Sequence, residues 1–265
     1  MRLIADTHIH LYSCFNINQA LDTLRTNLSH LDNQAVCIAF LAERADCNFF
    51  SGIQKKTIST SPPTFKTHCM DNALLIQQDK HPDLYLLPGR QIIARENIEI
   101  LALTVDLDIE DGLPAQEIID LIRQQDGLPV LSWAPGKWFF KRKKIVNKLL
   151  ASNKPGTLLL GDTTLRPTCW LRPFLMKKAM AKGFTVICGS DPLPFAGEEK
   201  VLGQYGTILD CPFDKQNPAK SIRSFLSQPG LQPPRVGKRG TLFTTLYRLS
   251  KNAHSKTNTG TKNQA

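Results

Sequence analysis

Short apolar and β-branched runs alternate with segments whose apolar residues recur at helical spacing, from the N-terminus to about residue 226. This is the pattern of βα units around a largely parallel sheet, an α/β barrel or a doubly wound sheet. Residues 2–10 predict a strand. A helix follows, with Ile17, Ala20, Leu21, Leu24, Leu28 and Leu31 on one face and Asn16 or Asn18 as N-cap. Residues 35–41 read as a buried strand, and 51–66, rich in Ser, Thr and Pro, as a long loop at a rim. A helix around 70–78 then leads into a strand at 84–87. Pro88-Gly89-Arg90 breaks the chain, and 91–94 with 98–104 predict a hairpin turning at Arg95-Glu96-Asn97. Further steps are a helix carrying Ile118, Ile119, Leu121 and Ile122, strands at 129–133 and 157–160, a helix over 173–182, a strand at 184–188 and a last helix at 219–226. There is no internal repeat.

The Pro- and Gly-rich run Gln228 to Pro234 marks the end of the body. The division expected is one domain over 1–227, a linker and basic amphipathic segment over 228–251, and a flexible tail over 252–265 without large apolar residues. Leu242, Phe243, Leu246 and Leu249 recur at helical spacing, which suits a short basic helix that docks on the body, touches an anionic membrane surface, or binds nucleic-acid phosphates.

Composition adds limits. With 42% apolar residues the chain can bury a sizeable core. Its longest apolar run, 35–42, is too short to cross a bilayer, and the first residues lack a signal-peptide hydrophobic region, so a cytoplasmic location is expected. Seven scattered cysteines without C-x-x-C spacing argue against a disulfide framework and a zinc ribbon; Cys37 and Cys188, in apolar runs, read as core residues. The net charge of +10 looks like a nucleic-acid signal until it is located. From Arg235 onward there are seven basic residues and no acid, so only +3 remains for the body. A second cluster, Lys137 with Lys141-Arg142-Lys143-Lys144 and Lys148, is local to one segment and reads as a solvated helix face.

The candidate chemistry begins at Asp6-Thr7-His8-Ile9-His10. Strand side chains alternate, so His8, His10 and Asp6 share one face at a strand's C-terminal end, where α/β folds gather their sites. Asp6 could join the histidines or orient an imidazole. A second strand ends in Gly189-Ser190-Asp191, which makes Asp191 a third ligand for a divalent cation such as Zn, Mn or Fe.

Over roughly residues 1–210 these features resemble the PHP (polymerase and histidinol phosphatase) superfamily. That resemblance implies a distorted βα barrel related to the TIM barrel and phosphoester hydrolysis with up to three metals. The family's D-x-H-x-H motif stands intact as DTHIH, and its G-S-D-x-H motif stands as GSDPL, with Leu193 in place of histidine. Its G-x-E appears as Gly89-Arg90-Gln91, its His-Pro as Ala134-Pro135, and the Thr-Asp-His closing the second strand as Leu41-Ala42-Glu43. Gln91 cannot supply the charge that holds two cations close together, and Ala134 and Leu193 cannot ligate. The resemblance therefore implies a reduced, one-metal site of His8, His10, Asp191 and Glu43, with Asp191 also the catalytic carboxylate and His68 and Asp162 as reserve ligands. Arg90, Arg44 and Lys137 follow strands near the same rim and are the expected contacts to a small phosphorylated substrate. The expected activity is metal-dependent phosphoester hydrolysis. Two rivals are a catalytically inactive relative serving as a binding scaffold and an amidohydrolase-like enzyme.

Overall fold

A computed structural model describes residues 1–55, 57–58, 66–70, 72–79 and 81–260, and side chains as far as 255. The chain does not close into a barrel. Its strands form two mixed sheets, and among the described residues no continuous ladder joins them. The seven-stranded sheet has the order β12-β11-β1-β2-β5-β4-β3, with β1 Arg2–Ile9, β2 Val36–Leu41, β3 Lys66–Met70, β4 Ala73–Gln77, β5 Leu84–Leu87, β11 Tyr205–Asp210 and β12 Arg235–Gly237. The five-stranded sheet runs β10-β9-β8-β7-β6, with β6 Gly89–Ile93, β7 Glu99–Leu103, β8 Leu128–Ser132, β9 Leu159–Thr163 and β10 Val186–Gly189.

The expectation of a distorted βα barrel is overturned by what occupies the edges of β1. A strand has two edges. One of β1's pairs in parallel with β2, and the other pairs antiparallel with β11, Arg2 opposite Asp210 through Ala5 opposite Thr207. No edge is left for a ladder with β10. Backbone-to-backbone hydrogen bonds tie the sheets together at their two meeting edges. Asp191 N–H donates to His8 O at 2.8 Å, and at the far side Glu43 bridges Arg90, with Glu43 N–H donating to Gly89 O and Gln91 N–H to Glu43 O. The first lies at the C-terminal ends of β1 and β10, the second where the C-terminal end of β2 meets the start of β6.

The core follows from this layering. Leu3, Phe40, Leu87, Leu101, Val130 and Ile187 belong to the apolar cluster that fills the space between the sheets. Helix α1 (Ile17–Leu31) covers the outside of the larger sheet through Leu21, Leu24 and Leu28, and Asn16 supplies its N-cap by accepting from Gln19 N–H. Helices α3 (Ala115–Gln124), α4 (Lys141–Ser152) and α5 (Phe174–Ala181) cover the smaller one. Helix α6 (Pro218–Leu226) packs Ala219, Ile222 and Leu226 against the central cluster.

Three local expectations are corrected. The helix placed around 70–78 is the β3–β4 hairpin, because the run Ala73 to Ile76 pairs with β5 and sends Leu74 and Ile76 into the core. Within the loop assigned to 51–66, helix α2 (Phe49–Gln54) runs to residue 54, and most of the remainder lies outside the described residues. The tail is helical: α7 spans Leu242–Gly260, well past Asn252. Its docked face holds Thr245, Arg248 and Leu249, while Leu242, Phe243 and Leu246 face outward. No helix of the described residues is long and apolar enough to cross a membrane.

Candidate metal centre

β1 delivers its two histidines to the point where the sheets meet. The His8 and His10 Nε2 atoms face each other at 3.0 Å, and each lies 3.7 Å from Asp191 Oδ1. All three side chains are buried, and their donor atoms lie within 4.8 Å of one another. Burial pushes the His8 pKa down, against the pull of Asp191, which favours the neutral ring that has a lone pair to offer. Burial also works to raise the Asp191 carboxyl, but His8, His10 and Arg248 together outweigh it and hold the group at about 2. Asp191 leaves β10 in the left-handed conformation, φ 51°, as the chain turns toward the histidines.

The supports explain why this geometry forms. Asp6 does not orient an imidazole. Its carboxylate accepts from the backbone N–H groups of His8 (3.2 Å), Ser190 (2.8 Å) and Gly203 (2.8 Å), which ties β1 to the turn after β10 and the approach to β11. Gly189 is required by the same seam: a Cβ there would meet the His8 backbone nitrogen and lie 2.6 Å from His8 Cβ and 2.9 Å from Asp6 Oδ1. His8 Nδ1 lies 3.4 Å from Ser132 Oγ, at the end of β8, and His8 Nε2 lies 3.3 Å from Gln91 Oε1. Tyr12 stacks on the His10 ring, with centroids 5.3 Å apart.

The remaining sequence candidates are dispersed. Glu43 is buried, but its carboxylate caps α2, accepting from Phe49 N–H and from Phe50 N–H, the latter at 3.3 Å; burial pushes the group up to about 7. It lies outside the His8, His10 and Asp191 group. Arg90 donates to the carbonyls of Arg44 (3.2 Å) and Cys47 (2.8 Å) and to Asn48 Oδ1 (2.6 Å), so it clamps the loop after β2. Arg44 and Lys137 do line the cleft that His10 and Asp191 also line. Arg44 pairs with Asp46 at 3.2 Å and Lys137 with Glu99 at 3.4 Å. Of the reserve ligands, His68 is exposed on β3, and Asp162 is held in a buried pair with Arg166 and by the Tyr205 hydroxyl. The cleft measures about 460 Å³, and Gln91, Ala134 and Leu193 also line it.

Reading the sequence missed Ser132 and Tyr12 beside the histidines, and Asn252, through which the C-terminal helix reaches the cleft. Ser132 had a signal, a lone hydroxyl ending a buried apolar strand; Asn252 had none.

The donor set suits a divalent cation. Two imidazole nitrogens and a carboxylate oxygen converge on one point, a combination that Zn, Mn or Fe accepts, and His10 Nδ1 is buried without a hydrogen-bond partner.

No protein-family model and no curated protein sequence matches the chain. Among solved structures, PsfC from Pseudomonas syringae PB-5123 superposes with a TM-score of 0.56 at 12% identity, covering 97% of this chain and 98% of its own. The lesion-specific endonuclease PfuEndoQ from Pyrococcus furiosus gives a TM-score of 0.54 at 12% identity, covering 88% of this chain and 58% of that one. At such identities the likeness is one of fold. It does not bear on the number of metal ligands.

Proposed function

We propose that the protein is a metal-dependent hydrolase of phosphoesters with a one-metal site held by His8, His10 and Asp191. The observation that carries this reading is the convergence of those three buried donors, two of which, His10 and Asp191, line a cleft together with Arg44 and Lys137. A cation bound there would supply Lewis acidity, lowering the pKa of a water molecule and polarising a phosphoryl oxygen. The chain's own part is orientation and charge. Ser132 Oγ, beside His8 Nδ1, would accept its proton and leave Nε2 free to ligate, and Asp6 fixes the backbone that presents the ring. Arg44 and Lys137, paired with Asp46 and Glu99 on the same lining, are the cations a phosphate would draw from those partners on entering, and Asp191 lies opposite the imidazoles as the one carboxylate of the triad. The class agrees with the sequence resemblance to the PHP superfamily and with the endonuclease among the fold neighbours, since an endonuclease cleaves phosphodiesters.

A second reading, a phosphate-binding scaffold without turnover, draws on one observation. Gln91, Ala134 and Leu193 line the cleft where further ligands would be needed for a multinuclear cluster.

Metal content and turnover separate the readings. The untagged protein, reconstituted with Mn, Zn or Fe and desalted, is expected to retain about one equivalent by mass spectrometry, and His8→Ala/His10→Ala to retain none. Loss of all metal from the wild type would refute the hydrolase. A metal-loaded protein inert toward phosphomonoesters and phosphodiesters would leave the scaffold.

A further inference from the structure

Three chain segments meet on the rim beside the cleft. The loop before α4 touches the loop before α5 through the rings of Phe139 and Trp170, 5.7 Å apart. The loop before α5 is in turn bound to the β12–α7 connection, where Thr168 N–H donates to Gly240 O at 2.9 Å and Arg239 donates to Trp170 O at 3.3 Å. Large apolar side chains project into solvent from all three. Phe140 is 92% exposed, Leu171 77% and Phe243 84%, with Phe174, Leu246 and Tyr247 beside them in sequence. This exposure is not scattered single residues, which would need no explanation. On α7 it is the outward face of the first two turns, because the helix docks there through Thr245, Arg248 and Leu249 and leaves Leu242, Phe243, Leu246 and Tyr247 outward.

The charge carried by the three segments themselves has one sign. Residues 136–148, 164–182 and 235–260 contain no Asp or Glu. Lys141, Lys143, Lys144, Lys177, Lys178 and Lys238 make no ion pair among the described residues. We infer that this face docks on an anionic lipid bilayer surface. Aromatic and aliphatic tips would enter the headgroup–acyl boundary, with lysines around them meeting lipid phosphates and carboxylates. A second copy of the chain would bring like charges together. Nucleic acid would satisfy the lysines and could stack on aromatic rings, but it offers nothing to the protruding Leu171 and Leu246. Lys137 and Leu165, from two of the same segments, line the cleft, so docking would set the cleft mouth at the edge of the membrane surface.

The inference does not depend on the hydrolase reading and is tested apart from it. The full-length protein is floated with phosphatidylcholine vesicles containing about 30% phosphatidylserine and, separately, with phosphatidylcholine alone. The wild type is expected to rise with the anionic vesicles only. Phe243→Ser/Leu246→Ser and Phe140→Ser/Leu171→Ser should each weaken binding several-fold, and Lys143→Glu/Lys144→Glu by about tenfold or more. Circular dichroism and metal content should stay unchanged, since all six residues are outside the core. The assignment is overturned if the wild type stays at the bottom of the gradient, if the apolar substitutions leave binding intact, or if the protein is retained on duplex DNA but not on vesicles.

Discussion

Arg248 offers the sharpest test of how the C-terminal helix belongs to the fold. It enters from α7 and is nearly sealed off, its side chain 4% exposed and that of its partner Glu198 5%. Its Nε lies 3.0 Å from both Glu198 oxygens, and one terminal nitrogen donates to Oε2 at 2.7 Å. The same guanidinium donates to Thr164 Oγ1 at 2.8 Å and to the Asp191 carbonyl at 3.1 Å. Arg248→Met keeps the volume but leaves Glu198 buried with only the Leu193 N–H as a hydrogen-bond partner. Breaking a buried pair from one side costs about 3–5 kcal/mol, mostly through the abandoned charge. For a chain of this size that lowers the melting temperature by roughly 6–20 °C. Removing both charges in Arg248→Met/Glu198→Gln should restore part of the loss, because no unpaired ion remains and the amide oxygen can still accept from Leu193. Urea titration of the wild type, both single variants and the double gives the coupling energy. A cost under about 1 kcal/mol for Arg248→Met, or a double variant that merely adds the two single losses, would refute the picture of α7 as a pinned element.

Other outcomes follow from the same geometry. Gly189→Ala should lose several kcal/mol and its bound metal together, since the added methyl meets His8 and Asp6; a soluble, metal-loaded variant would show that the seam can open. The Glu43 carboxyl, pushed up to about 7 by burial, binds its proton more tightly in the fold than in the unfolded chain. Its contribution to stability is complete below the ordinary carboxyl range and is lost as pH rises through about 7. Glu43→Gln should therefore gain on the wild type in melts at pH ~8 and not at pH ~4, and equal pH profiles would contradict this. Cys14, Cys69 and Cys169 should react quickly with a thiol reagent under native conditions. Cys37, Cys47, Cys188 and Cys211 should wait for unfolding, burial having raised each of their thiols, Cys188 to about 12. Fast labelling of four or more cysteines would sink that assignment.

How far the sequence could be read depended on whether a signal was local. The alternation in DTHIH and the small-residue turn at Gly189-Ser190-Asp191 are local, and both placed their ligands at strand ends that the structure brings together. Asn16 as cap and the apolar face of α1 were legible for the same reason. Register between distant strands was not. Nothing in residues 205–210 announces that β11 will lie antiparallel against β1, and that pairing is what separates two mixed sheets from a barrel. The four apolar residues of 73–76 fit a helix or a strand equally, and only their pairing with β5 decides. Glu43 and Arg90 carried the right charges at the right strand ends, yet orphaned backbone N–H and C=O groups nearby claimed both. On α7 the apolar periodicity gave the helix but not its docked face, which a buried ion pair at Arg248 sets, so that of the four apolar residues Leu249 alone packs inward.

The central position of β1 has a bearing on biosynthesis. Its partner strand closes the fold from the far end: the N-terminal ammonium donates to Cys211 O, 210 positions along the chain. At about 5–20 residues per second, a ribosome leaves β1 without that neighbour for roughly 10–40 s. For that interval Leu3, Ile4 and Ala5 present an unpaired apolar edge, the kind of surface that chaperones shield. Asp191 emerges just as late, so nascent His8 and His10 cannot assemble the triad with it early, and any cation held by all three would report a chain that has finished folding.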